Sequence, residues 1–455
     1  MPIEQRTWGM TKVHIFVKSL KMSYHKLKVA VIGAGASGLC AARHLLSRPQ
    51  IFALPVVYEL SDCVGGTWVY TDRVGKDVNG LPIHSSMYRD LRTNIPKEVM
   101  CFPDFSFDTR LPSFIHHSDV KLYLEQYTDH FEIKPHIKFR THVEQLNPVF
   151  ETTGDAQSSW EVTSLNLNSH CRSTERFDSV IVCNGHYSDP FIPHISEIEH
   201  FKGQIMHSHE YRFAEPFTGK NLVLLGAGSS GIDIALELSL VANKVVLIHN
   251  HSPISSPLPP NFLLVKGVNR FSETGVICND GMEYPADVFM FCTGYNYSFP
   301  FLGEEVGLKV KDHRVTPLYK HIVHTSFPTL FFIGLCKTVC PFPFFQSQVL
   351  FVLASLDGTY KLPPKAEMDA VTEHEYQTSL QSGIAHRHFH KLDSLQWSYN
   401  AELAHLSKTD PMPPVTRDLY EANKKIRKQD LCNYKRSNYK IVSNDTWITV
   451  NPKPL

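Results

Sequence analysis

Three glycines carry the first chemical signal in this sequence: Gly33, Gly35 and Gly38, within V-A-V-I-G-A-G-A-S-G at 29–38. An apolar strand runs into them and small residues (Leu39, Ala41, Ala42) open a helix behind them. The first glycine makes the tight turn, the second admits a pyrophosphate to the backbone, and the third lets helix and strand pack closely. The phosphates then meet unpaired N–H groups at the helix start, where the dipole favours negative charge. By itself the pattern also fits an ordinary glycine turn. Glu59 adds weight, because it closes the next apolar strand (55–60) about 20 residues on, where an acid accepts ribose hydroxyls. The same device recurs as N-L-V-L-L-G-A-G-S-S-G at 221–231, with Gly226, Gly228 and Gly231. Two nucleotide sites in one chain point to electron transfer between two cofactors.

The elements that must position these turns follow in order. Residues 28–60 read as strand, helix, strand, and S-D-C-V-G-G-T-W at 61–68 as a glycine-rich turn. Gly65 and Gly66 there allow close backbone approach, and Trp68 offers a flat surface that equally suits core packing. Residues 84–108 read as loop, with Asn94, Pro96 and Pro103. Val120, Leu122, Leu124 and Tyr127 predict a helix over 118–130. Strands are expected at 160–163, 177–183, 288–292 and 329–334, the second and third ending in Asn184-Gly185 and Thr293-Gly294. Such ends suit the lip of a parallel sheet, where these folds bind ligands. Pro190 and Pro193 mark a crossover between domains. The second unit has a helix at 232–242 and a strand at 245–249, then a proline-rich loop at 251–261. The last ~120 residues mix helical patches with loops.

Composition narrows the classes. With 455 residues the chain has enough length for two domains, successive or interleaved. Lys+Arg and Asp+Glu are both 45, so no basic stripe points to nucleic acid. The 25 histidines are scattered without metal-ligand spacing, so no metal is expected. The 10 cysteines form no C-x-x-C pair, which fits a reduced, cytoplasmic protein. No apolar run approaches the ~20 residues that span a bilayer. Residues 1–27 read as a loose extension and 451–455 as a polar tail, leaving no membrane anchor.

With these motifs in place the chain resembles the flavin-containing monooxygenases, which oxygenate soft nucleophiles with FAD, NADPH and dioxygen. The most specific piece is F-K-G-Q-I-M-H-S-H-E-Y at 201–211, matching the family's F-x-G-x-x-x-H-x-x-x-Y between the two glycine motifs. G-G-T-W at 65–68, R-T-N at 92–94 and F-C-T-G-Y at 291–295 match as well, in order, between Val29 and Gln348. The resemblance implies an α/β fold of two dinucleotide-binding (Rossmann-like) domains, the NADP domain inserted into the FAD domain. Its expected limits are an extension at 1–27, FAD-binding parts at 28–192 and 295–455, and an NADP-binding domain at 193–294. It assigns FAD to Gly33, Ala34, Gly35, Ala36, Ser37, Gly38, Glu59, Thr67, Trp68 and Asn94. It assigns NADP to Thr93, Asn94, Gly226, Gly228, Ser230, Gly231 and Asp233. Asn94 stands at the family's active-site asparagine. The chain looks like the shorter, anchorless members, with a small nucleophile and dioxygen as partners and room for a homodimer.

The implied mechanism follows from cofactor chemistry. NADPH reduces the flavin, and the flavin hydroperoxide formed with dioxygen must be kept from water by retained NADP. A neutral amide at Asn94 can donate and accept without titrating, although an ordinary turn residue before Ile95-Pro96 is the bland alternative. His207 and Tyr211 share a face if their segment is helical, and they suit pinning of the interdomain linker. After the second unit the strand ends in His249-Asn250-His251-Ser252, without an acid and without an arginine. That permits NADPH and predicts a modest preference for it. Three other readings compete. A flavin disulfide reductase lacks its cysteine pair after Glu59. A Baeyer–Villiger enzyme has Trp where Tyr211 stands. A catalytically inactive nucleotide-binding protein is opposed by the intact glycines, Glu59 and Asn94. Departures from the family are Asn184 for a common Thr and Gln346 for a common Glu.

Overall fold

The computed structural model describes residues 25–150, 159–250 and 254–450. Residues 1–24 of the expected extension at 1–27, the tail at 451–455 and the start of the proline-rich loop, 251–253, lie outside the described residues. Two sheets dominate, one mixed with an antiparallel edge and one wholly parallel. The first has seven strands, with β1 (Val29–Ile32) between β2 (Val56–Tyr58) and β4 (Ser179–Val182). β3 (Ile137–Lys138) extends it beyond β2, and β12 (Leu330–Phe332) lies beside β4, followed by β11 (Val323–His324) and β10 (Leu318–Tyr319). The second sheet has five strands in the order β8 (Phe262–Lys266), β7 (Lys244–His249), β6 (Asn221–Leu225), β9 (Val288–Phe291) and β5 (Gln204–His207). All of its pairings are parallel.

The second sheet lies in sequence between β4 and β12, which are neighbours in the first. One Rossmann-type unit is therefore inserted into another. Both units share a three-layer plan, and the period-2 side-chain alternation of a strand produces it. Val29 and Val31 of β1 face helices, packing with Leu39, Ala42 and Leu45 of α1 (Ala36–Leu46) and with α4 (Pro341–Leu356). Ala30 and Ile32 face the other way, onto Trp160, Val162 and Phe177 of a three-stranded antiparallel sheet. In β6, Leu222 and Leu224 pack with Ile234, Ala235 and Leu238 of α3 (Ser229–Leu238). Val223 and Leu225 face a second three-stranded sheet through Phe271, Val276 and Cys278.

Several expectations are adjusted. The helix predicted over 118–130 is α2 (His117–His130), but Leu122 is exposed while Val120, Leu124 and Tyr127 are buried. Three apolar residues fill the stripe, and the fourth falls between turns. The loop at 84–108 contains a short helix, Lys97–Met100. The helix expected at 232–242 starts at Ser229 and ends at Leu238, because the glycine turn itself opens it. The C-terminal region is more regular than patches and loops. It holds α4, α5 (Lys365–Gln381), α6 (Gln396–Ser407), α7 (Pro414–Gln429) and a hairpin of Asn438–Ser443 with Thr446–Val450. All 10 cysteines are free thiols. No helix among the described residues is long and apolar enough to cross a membrane.

Candidate cofactor and active site

At the first glycine turn, Gly33 has φ +105°, and a Cβ there would lie 2.5 Å from the Cys183 carbonyl oxygen. A Cβ on Gly38 would lie 1.9 Å from the Gly33 oxygen. Both positions exclude a side chain, as close strand–helix packing requires. No side chain caps α1 at Gly35, so its first N–H groups are open to a ligand. Ala36, Ser37 and Ala34 are buried, and a Cβ on Gly35 would come 3.6 Å from the Gly66 Cα. The G-G-T-W loop thus lies across this turn, with Gly65 N donating to Ala34 O at 3.1 Å. Thr67 and Trp68 sit in its 3-10 turn, where Trp68 packs on the helical-face core. Glu59 is buried. Its Oε2 accepts from Ala34 N at 2.7 Å, and its Oε1 accepts from Ser61 N and Oγ at 2.8 and 2.7 Å. A carboxylate offers about four lone-pair sites, so one stays open for a further donor such as a hydroxyl.

The second turn repeats the first atom for atom. Gly226 has φ +115°, with its Cβ position 2.4 Å from Cys292 O, and a Cβ on Gly231 would lie 1.8 Å from Gly226 O. Gly33 N bonds Tyr58 O at 2.8 Å, and Gly226 N bonds Ile248 O at 2.9 Å. This register puts His249 where Glu59 stands in the first unit. Gly228, Ser229 and Ser230 are exposed, and a Cβ on Gly228 would meet nothing within 4 Å. His251 and Ser252, the last residues of that strand end, fall outside the described residues. Asp233 lies one turn into α3, where Tyr88 Oη donates to Oδ2 and Lys435 Nζ to Oδ1, each at 2.5 Å.

The R-T-N segment is clamped from both sides. Thr93 N donates to Ile115 O at 2.8 Å, and Thr93 Oγ1 accepts from Ile115 N at 3.2 Å. Asn94 is half-buried, and its carbonyl accepts from Asn423 Nδ2 at 3.3 Å. The chain crosses between the units twice, at Asp189–Pro190 and Tyr295–Asn296, and these two segments pair antiparallel. His207 fixes this crossover. Its Nε2–H donates to Gly294 O at 3.1 Å, and its Nδ1 accepts from His209 N at 3.0 Å. Burial holds its pKa down to about 4, so the ring is neutral and this tautomer persists at pH 7. His207 and Tyr211 do not share a helical face, because β5 ends at His207 and a 3-10 turn, Ser208–Glu210, follows. Tyr211 packs instead edge-on to Tyr88, with ring centroids 5.5 Å apart.

The comparisons with known proteins agree with this geometry. A flavin-binding monooxygenase-like family model matches residues 26–254 and 260–415. The chain belongs to the flavin-binding monooxygenase-like family. It is an FAD-dependent monooxygenase with NADPH as its reductant. Flavin-containing monooxygenase FMO GS-OX-like 4 from Arabidopsis thaliana is 37% identical over 83% of this chain and 86% of its own length. Senecionine N-oxygenase from Tyria jacobaeae is 31% identical over 92% of this chain and 90% of its own. Among solved structures, S-allyl-L-cysteine S-oxygenase from Allium sativum superposes with a TM-score of 0.83 at 32% identity, covering 90% and 95% of the two chains.

The residues present fit the two nucleotides of this monooxygenase. Both turns are cradles that a Cβ would fill, both helix starts lack a side-chain cap, and the open valence of Glu59 faces the first. Some residues around the site carried no local signal in the sequence. Tyr88, Asn423 and Lys435 are joined to the R-T-N segment or to Asp233 across distances of 145, 329 and 202 residues along the chain. Lys337 donates to Tyr295 O at 3.5 Å beside the crossover, and burial with the Arg387 charge lowers its pKa to about 8.

Proposed function

We propose that this monooxygenase transfers one oxygen atom to the sulfur or nitrogen of a small nucleophile, with NADPH as reductant and dioxygen as oxidant. The observation that carries the reading is the pair of matching glycine turns on two Rossmann units joined at residues 189–190 and 295–296. The S-oxygenase and N-oxygenase relatives support the choice of atom. We assign the FAD half to 28–192 and 295–455 and the nicotinamide half to 193–294.

When bound, reduced flavin supplies the activation of dioxygen, and the protein supplies binding, orientation and exclusion of water. On the flavin side, the uncapped start of α1 at Gly35, Ala36 and Ser37 would hold the pyrophosphate, Gly33 and Gly38 would keep the turn clear of a Cβ, Ala34 N would stay fixed on Glu59, and the remaining valence of Glu59 would take a ribose hydroxyl. Thr67 and Trp68 cover the dinucleotide through the loop lying over Gly35. On the nicotinamide side, Gly226, Gly228, Ser230 and Gly231 would hold the dinucleotide at the uncapped start of α3, where Gly228 and Ser230 are exposed, and Thr93 and Asn94 would meet its nicotinamide end. Asp233 acts by holding α3 against Tyr88 and Lys435. Asn94 is the catalytic residue: its neutral amide donates and accepts at the reacting centre, and its fixed backbone keeps it there. The free thiols fit a reducing, cytoplasmic setting.

The test is oxygen-dependent NADPH consumption by the purified yellow protein across a panel of sulfides, thiols, tertiary amines and hydroxylamines, with sulfoxide or N-oxide quantified. Ketone-to-ester conversion without heteroatom oxygenation would select the Baeyer–Villiger alternative. A colourless protein that takes up no flavin would select an inactive nucleotide-binding role.

A further inference from the structure

The chain beyond Pro414 touches both halves of the cofactor machinery, by two different kinds of contact. Towards the flavin half it is apolar. Leu419, Tyr420, Tyr434 and Tyr439 form a separate buried cluster with Val99, Phe114 and Cys340, and Phe114 meets Tyr434 edge-on at 5.3 Å. Ser113 N adds a bond to Asn438 Oδ1 at 2.9 Å. Towards the nicotinamide half the contacts are polar. Lys435 Nζ bonds Asp233 on α3, Leu431 N donates to Ser256 Oγ at 2.9 Å, and Ser255 Oγ donates to Lys428 O at 3.3 Å.

Lys435 is the node of this arrangement. Its Nζ donates to Arg92 O at 3.1 Å as well as to Asp233, and Arg92 Nη2 returns a bond to Lys435 O at 3.1 Å. Its neighbour element adds the bond from Asn423 to the Asn94 carbonyl. The Lys435 and Asp233 side chains are only 16% and 26% exposed, so solvent screens the pair weakly. An apolar cluster is a permanent mount, because separating it exposes its whole surface to water. A partly buried ion pair with a few hydrogen bonds has no such area behind it, and each of its groups regains water when it opens.

We propose that Lys435 is a positioning residue, the releasable end of a C-terminal clamp that holds α3 of the nicotinamide half at a fixed distance from Asn94. The proposal rests on the functional reading above. The crossover at 189–190 and 295–296 is the hinge about which the nicotinamide half swings when the clamp lets go. The mount stays on the flavin half throughout. With the clamp engaged, NADP is retained between the two halves and water is kept from the reacting centre.

The experiment compares Lys435→Met with the wild-type holoenzyme by amide hydrogen exchange, NADP⁺ affinity and hydrogen peroxide formed per NADPH oxidised. Loss of one charge-assisted bond predicts about tenfold faster exchange across Ser229–Leu238 and about tenfold weaker NADP⁺ binding. More of the NADPH should end as peroxide, while flavin content stays at the wild-type level. Lys435→Arg, which keeps the charge and the donors for Asp233 and the Arg92 carbonyl, should retain protection of α3. A merely structural lysine would lower the melting temperature without acting selectively on α3. If Lys435→Met folds poorly, Lys435→Gln keeps the stem and a donor for Arg92 O, and must show the same faster exchange. Unchanged exchange and affinity in a folded variant would overturn the proposal. If the wild type makes no oxygenated product at all, the functional reading fails, and the exchange comparison still decides the clamp.

Discussion

The two glycine turns are alike in backbone and opposite in surroundings. The first is covered: Ala34, Ala36 and Ser37 are buried, Gly66 lies over Gly35, and Glu59 is locked by three donors. The second is open: Gly228, Ser229 and Ser230 face solvent, and His249 occupies the position of Glu59. A nucleotide under a fixed loop leaves slowly, whereas one on an exposed helix start can exchange each turnover. On the proposed assignment the same motif would serve a resident cofactor and a consumed one, with the layer above the turn making the difference. The helices differ in the same sense. The buried face of α1 is mostly apolar, while α3 turns Asp233 and Glu237 towards the flavin half.

The largest effects should come from the glycines that admit no Cβ. Gly38→Ala should leave a protein with less than about a tenth of the wild-type flavin, read from its visible absorbance, because the helix must leave the strand. Gly231→Ala should keep the flavin and lose its reduction by NADPH, read by stopped-flow absorbance. Loss of flavin in both variants would erase the distinction between the turns. Asn94→Ala should bind FAD normally but yield about tenfold less oxygenated product per NADPH, the rest appearing as hydrogen peroxide. Equal yields would remove that role.

A smaller effect tests the strand ends. NADPH should show a lower KM than NADH, and His249→Glu should reverse the order, since an acid accepts the 2′-hydroxyl and repels a 2′-phosphate. A lower KM for NADH in the wild type would contradict the comparison. The smallest effect is on stability. Burial, with the Asp90 and Asp233 charges adding to it and the Tyr211 hydroxyl opposing it, pushes Glu237 up to about 7. The unfolded chain ionises near the ordinary carboxylate value and the folded one does not. Stability contributed by the protonated form is therefore complete at low pH and lost as pH rises towards 7. Glu237→Gln should flatten melting temperature against pH between 5 and 8, and an unchanged slope would assign the pH dependence elsewhere.

Much of the site is legible in the residue string because its constraints are local. A turn that needs φ near +105° or +115° and no Cβ can be read from spacing, and so can an acid one residue past a strand. Asn184-Gly185 and Thr293-Gly294 follow the same logic, for each ends the strand beside a glycine strand. Leu122 was misread because helical spacing marks a stripe and cannot say how wide the buried part is. His207 and Tyr211 share a face only if their segment is helical, and β5 instead carries His207 along a sheet edge beside β9.

The sequence by itself determined two nucleotide-binding turns, their strand–helix mounts and the family, since backbone sterics act over a few residues and leave a fixed spelling. Only the tertiary structure decided which turn is covered, what holds Asp233, and that Lys435 reaches Arg92 and α3 together. Those outcomes depend on segments hundreds of residues apart meeting in space, and a side-chain charge gives no local sign of the partner it will find.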